Sequence, residues 1–295
     1  TDRNLARSRG EAVQAMSRID AHQHFWMYSP QDYGWIGPEM AVLKKDHLPE
    51  DLAPLLNAAG VVGTVAVQAR QTIQETKWLL ERADRHPLVW GVVGWVDLCG
   101  PELTAQLERF SAHPRFRGVR HVVQDEPDDE FMLRQGFLRG LGALQAFDLT
   151  YDILVFPRHL PIACQVVSQF PDQPFVLDHI AKPSIKDGRI EPWASDIRKL
   201  AAFPNVFCKV SGMVTEADWE RWQPADLKPY LEVVFEAFGP GRIMFGSDWP
   251  VCTVAGAYAD VAGIVQDYVD ALSADEQAAV WGETARGFYG LRVPC

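Results

Sequence analysis

Short runs of β-branched and other apolar residues alternate along this chain with longer segments whose apolar residues recur at helical spacing. Eight runs have the composition of buried strands, and a helix-like segment follows each of them. These runs are RIDAHQHF, GTVAVQA, VWGVVGWVDL, FRGVRHVVQ, LTYDILVF, PFVLDHI, NVFCKVSG and RIMFGSDWP. Eight strands in strict alternation with helices predict an α/β fold of the (β/α)8 TIM-barrel class.

A doubly wound open sheet is the alternative fold, although the chain has no GxGxxG or GxxxxGK[ST] motif to support a nucleotide-binding version. Two connections are long: residues 27–50 follow the first strand and residues 181–195 follow the sixth. Loops of this length usually carry function, and the active site of a barrel lies at the carboxyl ends of its strands. Both segments are therefore expected beside the site.

The domain organisation predicted from the sequence is one catalytic barrel over residues 17–295, preceded by a flexible extension over residues 1–16. That N-terminal segment is polar and lacks the apolar core of a secretory signal. A chain of 295 residues with 47% hydrophobic residues has enough apolar material for one large core.

Charge and cysteine content narrow the partners and the compartment. The net charge is −11, which repels phosphate backbones and anionic lipid, so neither nucleic acid nor a membrane is an expected partner. Five widely spaced cysteines without a CxxC motif indicate free thiols, which predict a cytoplasmic protein. A small molecule remains as the expected partner, and the oligomeric state stays open.

The first strand carries the most distinctive candidate chemistry. Alternation along a strand places Asp20, His22 and His24 on one face, so the two imidazoles should line the top of the barrel, with Asp20 orienting one ring. His179 lies at the end of the sixth strand and Asp248 at the end of the eighth. Since the first and eighth strands are neighbours in a closed barrel, we expect Asp248 beside His22 and His24.

Other strand ends offer groups that could bind a substrate. Gln68 ends the second strand, and Lys209 shares a face with Ser211 on the seventh. On the fourth strand, alternation allows only one of Arg120 and His121 to face inward; His121 is taken as the substrate-binding residue, with the choice left open. Trp26 follows the histidine pair and is a candidate apolar wall or sugar platform.

The segments DAHQHFW, DHIAKP, KVSG and FGSDWPV resemble the amidohydrolase superfamily, and more narrowly its sugar-lactonase branch of L-fuconolactonase-like and L-rhamnonolactonase-like enzymes. RHVVQDE and YDILVF are similar to the same branch. The resemblance implies a (β/α)8 barrel that hydrolyses a sugar lactone. The fifth strand lacks the histidine of two-metal members, so His22, His24 and Asp248 could hold one divalent ion at most. Lactonases of this branch can act without a metal, so no cofactor is expected to be required, and zinc is the candidate ion.

A mechanism follows for the expected site. Asp248 is the predicted general base for water, with a pKa that burial would have to raise. His22, His24 and His179 would direct N–H donors at the lactone carbonyl oxygen. Two alternatives stay open: a metal-dependent amidohydrolase or decarboxylase of the same superfamily, and a non-catalytic sugar-binding barrel.

Overall fold

The computed structural model describes residues 17–293, so the predicted N-terminal extension, residues 1–16, lies outside the described part of the chain. Eight parallel strands form one sheet in the order β1 to β8. The strands are β1 Arg18–Gln23, β2 Val61–Val67, β3 Val89–Gly94, β4 Phe116–Val122, β5 Thr150–Leu154, β6 Phe175–Leu177, β7 Val206–Val210 and β8 Ile243–Phe245. Sequential order with parallel pairing confirms the predicted barrel and excludes the doubly wound sheet.

Helices cover the outside of the sheet. They are α1 Pro49–Ala58, α2 Ile73–Arg85, α3 Leu103–Ser111, α4 Gln135–Leu144, α5 Leu160–Val167, α6 Trp193–Ala201, α7 Pro224–Phe238, α8 Tyr258–Val269, α9 Ala274–Ala278 and α10 Thr284–Tyr289. A short 3-10 helix, Pro38–Leu43, lies within the long connection that follows β1. No helix among residues 17–293 is long and apolar enough to cross a membrane.

The barrel closes where β1 and β8 end. The amide of His24 donates to the carbonyl oxygen of Trp249 at 2.7 Å, and the amide of Asp248 donates to the carbonyl oxygen of His22 at 2.8 Å. These backbone bonds continue the sheet beyond the named strands. As a result, the histidine pair and Asp248 are held side by side by the closure of the barrel itself.

The interior of the barrel contains apolar and charged layers. Strand side chains such as Val65, Val93 and Met244 form a small apolar cluster with Tyr289 and Leu291. Tyr289 is the last residue of α10, and Leu291 comes just after that helix. Above this cluster, Lys209 is fully buried. Burying an ammonium group is unfavourable unless carboxylates compensate it.

Two buried carboxylates compensate Lys209. Its Nζ lies 2.5 Å from Asp152 Oδ2 and 3.0 Å from Asp178 Oδ1. The hydroxyl of Tyr289 donates to Asp152 at 2.7 Å. Burial raises the pKa of Asp152, whereas Lys209, His22 and Arg120 outweigh burial at Asp178 and hold its pKa well below the usual range. Asp178 is therefore a fixed negative charge under the strand ends.

Removing Lys209 should destabilise the barrel strongly, because Asp152 and Asp178 would stay buried without their cation. We expect Lys209→Met to lower the free energy of unfolding by about 3–5 kcal/mol, measured by urea denaturation at neutral pH. Lys199→Met is the matched control, since Lys199 pairs with Asp196 at 2.8 Å but is 68% exposed. The control should change stability by less than about 1 kcal/mol. Equal effects of the two substitutions would contradict this description of the interior.

Candidate active site

A cavity of about 610 Å³ opens at the carboxyl ends of the strands. His24, Arg120, His179 and Asp248 line its base. Both long connections contribute walls, through Asp32 and Trp35 of residues 27–50 and Lys182 of residues 181–195, among others. The long loops therefore lie at the candidate site, as their lengths predicted.

His24 has a defined orientation. Its Nδ1 lies 2.8 Å from the carbonyl oxygen of Val67. A carbonyl oxygen only accepts hydrogen bonds, so Nδ1 donates to it and Nε2 faces the cavity. That Nε2 lies 3.3 Å from Asp248 Oδ1. His24 is therefore held with one ring nitrogen on the barrel wall and the other beside Asp248.

His22 lies just beneath the cavity and contacts the buried charges. Its Nδ1 is 3.3 Å from Asp178 Oδ1, and its Nε2 is 3.3 Å from Arg120 Nη1. Lys209 Nζ also lies 3.2 Å from His22 Nδ1. Because ammonium and guanidinium groups only donate hydrogen bonds, each ring nitrogen of His22 faces a cationic donor. Burial lowers the pKa of His22 well below its ordinary value, despite the nearby Asp178 carboxylate. The ring is therefore neutral at neutral pH.

His179 is held by an unusual backbone. Residues 179–182 all have positive φ, between 47° and 60°, in one left-handed turn. Such a conformation costs roughly 1–2 kcal/mol per non-glycine residue, and strain of this kind clusters at functional sites. His179 Nδ1 pairs with Ser211 Oγ at 2.9 Å. Gly212, at φ 60°, allows this approach, because a Cβ there would lie 2.5 Å from His179 Nδ1.

Asp248 is an ionised carboxylate in this environment. Burial acts to raise the pKa of Asp248, but His179, His24 and Lys182 outweigh burial and hold that pKa below its ordinary value. The expectation that burial would raise it is therefore wrong. Asp248 Oδ1 lies 3.8 Å from His22 Nε2 and 3.9 Å from His179 Nε2, so all three histidines surround one carboxylate oxygen.

Asp20 does not orient a histidine ring. Its carboxylate accepts from the backbone amides of His22 and Ser247, and from the hydroxyl of Tyr258 on α8. The pairing of β1 with β2 changes register between Asp20 and Gln23, which breaks the simple alternation expected along the strand. Asp20 instead ties the end of β1 to the segment after β8.

Three residues predicted to bind substrate, Trp26, Gln68 and Lys209, do not line the cavity. Trp26 is fully buried and donates its Nε1–H to the carbonyl oxygen of Lys45, so it anchors the loop after β1. Gln68 is also buried, and its side chain pairs with Arg120. Lys209 lies deeper, in the barrel interior. Each of these side chains supports a site residue or a wall from behind.

The choice between Arg120 and His121 is resolved in favour of Arg120. Arg120 lines the cavity and donates to Asp178 Oδ2 at 2.9 Å. His121 lies on the other face of β4, where its Nε2 contacts Glu126 Oε1 at 2.7 Å and its ring stacks on Phe131. The substrate-binding role predicted for His121 is therefore corrected: strand alternation gives the inward position to the arginine.

Two ion pairs at the cavity were not anticipated from the sequence. Arg70 and Asp32 meet at 2.6 Å, and Lys182 and Glu216 meet at 3.5 Å. All four residues line the cavity. Lys182 belongs to the segment DHIAKP that was singled out in the sequence. Its side chain reaches the same cavity as that of His179 because residues 179–182 form a left-handed turn. Asp32, Arg70 and Glu216 lie in loops whose paths strand patterns do not define.

The donor set at the base of the cavity fits a divalent metal. His22, His24 and Asp248 offer ligand atoms that lie within 4.8 Å of one another, and the two Nε2 atoms are 3.2 Å apart. Two imidazole ligands of a tetrahedral zinc ion, at 2.0–2.1 Å each, would be separated by about 3.3 Å. The Val67 carbonyl fixes the His24 tautomer that leaves Nε2 free, as second-shell acceptors do at metal sites.

The barrel and its strand-end cluster of histidines and one aspartate define a hydrolase of the amidohydrolase type, as the sequence motifs suggested. The profile of an amidohydrolase family matches residues 19–291. The chain belongs to this family.

Curated relatives are similar over nearly the whole chain. An L-fucono-1,5-lactonase of Burkholderia multivorans is 43% identical over 288 residues, covering 94% of this chain and 97% of the relative. An L-fucono-1,5-lactonase of Burkholderia ambifaria is 40% identical over 281 residues, with the same coverage. A crystal structure of a Burkholderia multivorans amidohydrolase with bound zinc is 44% identical with a TM-score of 0.90, covering 94% of this chain and all of that one.

Loss of one donor should weaken zinc binding sharply. We expect metal-free protein to bind one zinc ion per chain by isothermal titration calorimetry. His24→Asn should weaken that affinity by more than roughly 100-fold, since even outer-shell changes cost 10–100-fold. His113→Asn is the control, because His113 pairs with Asp84 away from the cavity. Unchanged zinc affinity in His24→Asn would show that the ion binds elsewhere.

Proposed function

We propose that this protein hydrolyses a sugar lactone of the L-fucono-1,5-lactone type to the corresponding sugar acid. The single observation that carries the proposal is the ionised, buried Asp248 with three histidines around one of its oxygens, at the base of a cavity large enough for a sugar ring. The relatives named L-fucono-1,5-lactonase support the substrate class.

In this mechanism, Asp248 orients a water molecule and takes a proton from it as the water oxygen attacks the lactone carbonyl carbon. Arg120 lies next to the cluster as a fixed cation, held by Asp178 and His22, whose positive charge can stabilise the developing oxyanion. His179 adds a hydrogen-bond donor at Nε2 when Ser211 donates to its Nδ1. Preorganised donors of this kind contribute roughly 3–4 kcal/mol in the transition state.

Collapse of the tetrahedral intermediate breaks the bond between the carbonyl carbon and the ring oxygen. The ring oxygen leaves as a hydroxyl after it takes back the proton held by Asp248, and the product is the open-chain acid. An ester leaving group needs less assistance than an amine, which makes a lactone a better substrate for this site than an amide.

The low pKa of Asp248 makes it a weak base. Other groups of the site must therefore activate the lactone carbonyl for attack by water. A divalent metal on His22, His24 and Asp248 would supply a Lewis acid at this position. We propose that turnover does not require that ion, because Arg120 and His179 can already polarise a lactone carbonyl. Metal-dependent amide hydrolysis or decarboxylation is the competing function.

We further propose that the reaction takes place in the cytoplasm. Cys99, Cys164, Cys208 and Cys252 are free thiols among the described residues. Burial raises the pKa of Cys208 and Cys252 well above the thiol value, so neither is a reactive thiolate. The acidic net charge fits a small neutral lactone as the partner better than a polyanion.

A panel of aldonolactones tests the proposed function. We expect acid release, followed with a pH indicator, from L-fucono-1,5-lactone and related 1,5-lactones, and we expect activity to persist after exhaustive chelation. Absence of acid release on every lactone would contradict lactone hydrolysis. Activity that disappears on chelation and returns with zinc would overturn the metal-independent version and favour metal-dependent chemistry.

A further inference from the structure

Two charged pairs of the cavity take no part in the proposed proton transfer: Arg70 with Asp32, and Lys182 with Glu216. The second pair is the more buried of the two. Lys182 Nζ lies 3.5 Å from Glu216 Oε1, and their side chains are 19% and 22% exposed. Both residues line the cavity that contains His179 and Asp248. Burial raises the pKa of Glu216 even with Lys182 beside it. A pair that is partly desolvated and still open to the cavity is placed to contact a ligand.

The left-handed turn of residues 179–182 gives this pair its position. The amide of Lys182 donates to the carbonyl oxygen of His179 at 2.8 Å, which closes the turn. The side chains of His179 and Lys182 therefore reach the same cavity, where Lys182 meets Glu216. Four successive non-glycine residues with positive φ have a high conformational free energy. Strain of this kind clusters at functional sites, and here it extends from His179 through Lys182, which suggests a function for both residues.

We propose that Lys182 and Glu216 bind the hydroxyl groups of the sugar lactone and set its selectivity for polyhydroxylated over unsubstituted lactones. The inference rests on the proposed function, because it assigns a substrate subsite to the same cavity. A lysine ammonium only donates hydrogen bonds and a carboxylate only accepts them. Neighbouring hydroxyl groups of a sugar ring can satisfy both at once, and the pair has no net charge that would favour an anionic ligand.

In this assignment, one part of the cavity binds the sugar hydroxyls and another part carries out the reaction. Asp248, Arg120 and the histidines lie at the base, where the reacting carbonyl would be placed. Lys182 and Glu216 extend from the loops that follow β6 and β7, on the side of His179. Loss of this pair should therefore lower the preference for substrates that carry hydroxyl groups.

Two lactones of the same ring size test the assignment. The wild-type protein should show a much higher kcat/KM for L-fucono-1,5-lactone than for δ-valerolactone, which has no hydroxyl groups. Lys182→Met and Glu216→Leu should each reduce this ratio roughly 10- to 100-fold, the loss expected for a hydrogen bond to a charged group. Most of the change should appear in KM for the sugar lactone. Loss of Lys182 also removes a positive charge that acts on the pKa of Asp248, but that effect is common to both lactones and cancels in the ratio.

Matched variants control for charge and folding. Lys186→Met makes the same charge change on the same loop at a side chain that is 66% exposed, and it should leave the ratio unchanged. Lys182→Asn removes the ammonium with a residue that tolerates positive φ, so it decides the question if the methionine variant does not fold. Glu216→Gln keeps one acceptor and should lose less selectivity than Glu216→Leu.

Two results would overturn the assignment. Equal losses on both lactones would mean that Lys182 acts on the carbonyl that the substrates share. An unchanged ratio in Lys182→Met, Lys182→Asn and Glu216→Leu would show that other groups recognise the hydroxyls. Both results require an active wild-type protein, so they differ from failure of the proposed function, in which wild type hydrolyses neither lactone and both proposals fall.

Discussion

The ion pairs of buried Lys209 are the interaction on which the site depends. One ammonium group balances Asp152 and Asp178 inside the barrel, and Arg120 supplies the second cation to Asp178. Without these cations, carboxylates could not stay ionised so far from water. Asp178 and Lys209 both lie next to Nδ1 of His22, so the buried charges contact the histidine that lies directly beneath the cavity. The chemistry at the barrel mouth is thus set one layer below it.

Above that layer, a different local contact or backbone feature positions each site residue. The Val67 carbonyl fixes His24, the left-handed turn and Gly212 fix His179, and the closure of β8 on β1 fixes Asp248. All of these elements are rigid parts of the barrel. The two long connections add the charged pairs of the walls. Under the proposed function, this division would give a preorganised catalytic base and would leave selectivity to the loops.

The sequence predicted the barrel and the residues at its mouth because both depend on local rules. Strand and helix periodicity defined the eight units, and strand ends gave His22, His24, His179 and Asp248. The errors have specific physical causes. A register change in β1 turned Asp20 away from the rings, and alternation put Arg120 inward in place of His121. The Asp248 pKa and the Lys182–Glu216 pair depend on residues brought together from distant strands and loops, which a one-dimensional pattern does not contain.

The central claim is that Asp248, ionised among three histidines, activates the water that opens the lactone. The most direct test is kcat of Asp248→Asn on L-fucono-1,5-lactone, with folding checked by circular dichroism and lactone binding measured separately. Asparagine keeps the shape of the side chain and cannot take a proton from water. If Asp248 is the general base, we expect kcat to fall by about 10²–10⁴-fold while the lactone still binds. Turnover close to wild type would contradict it.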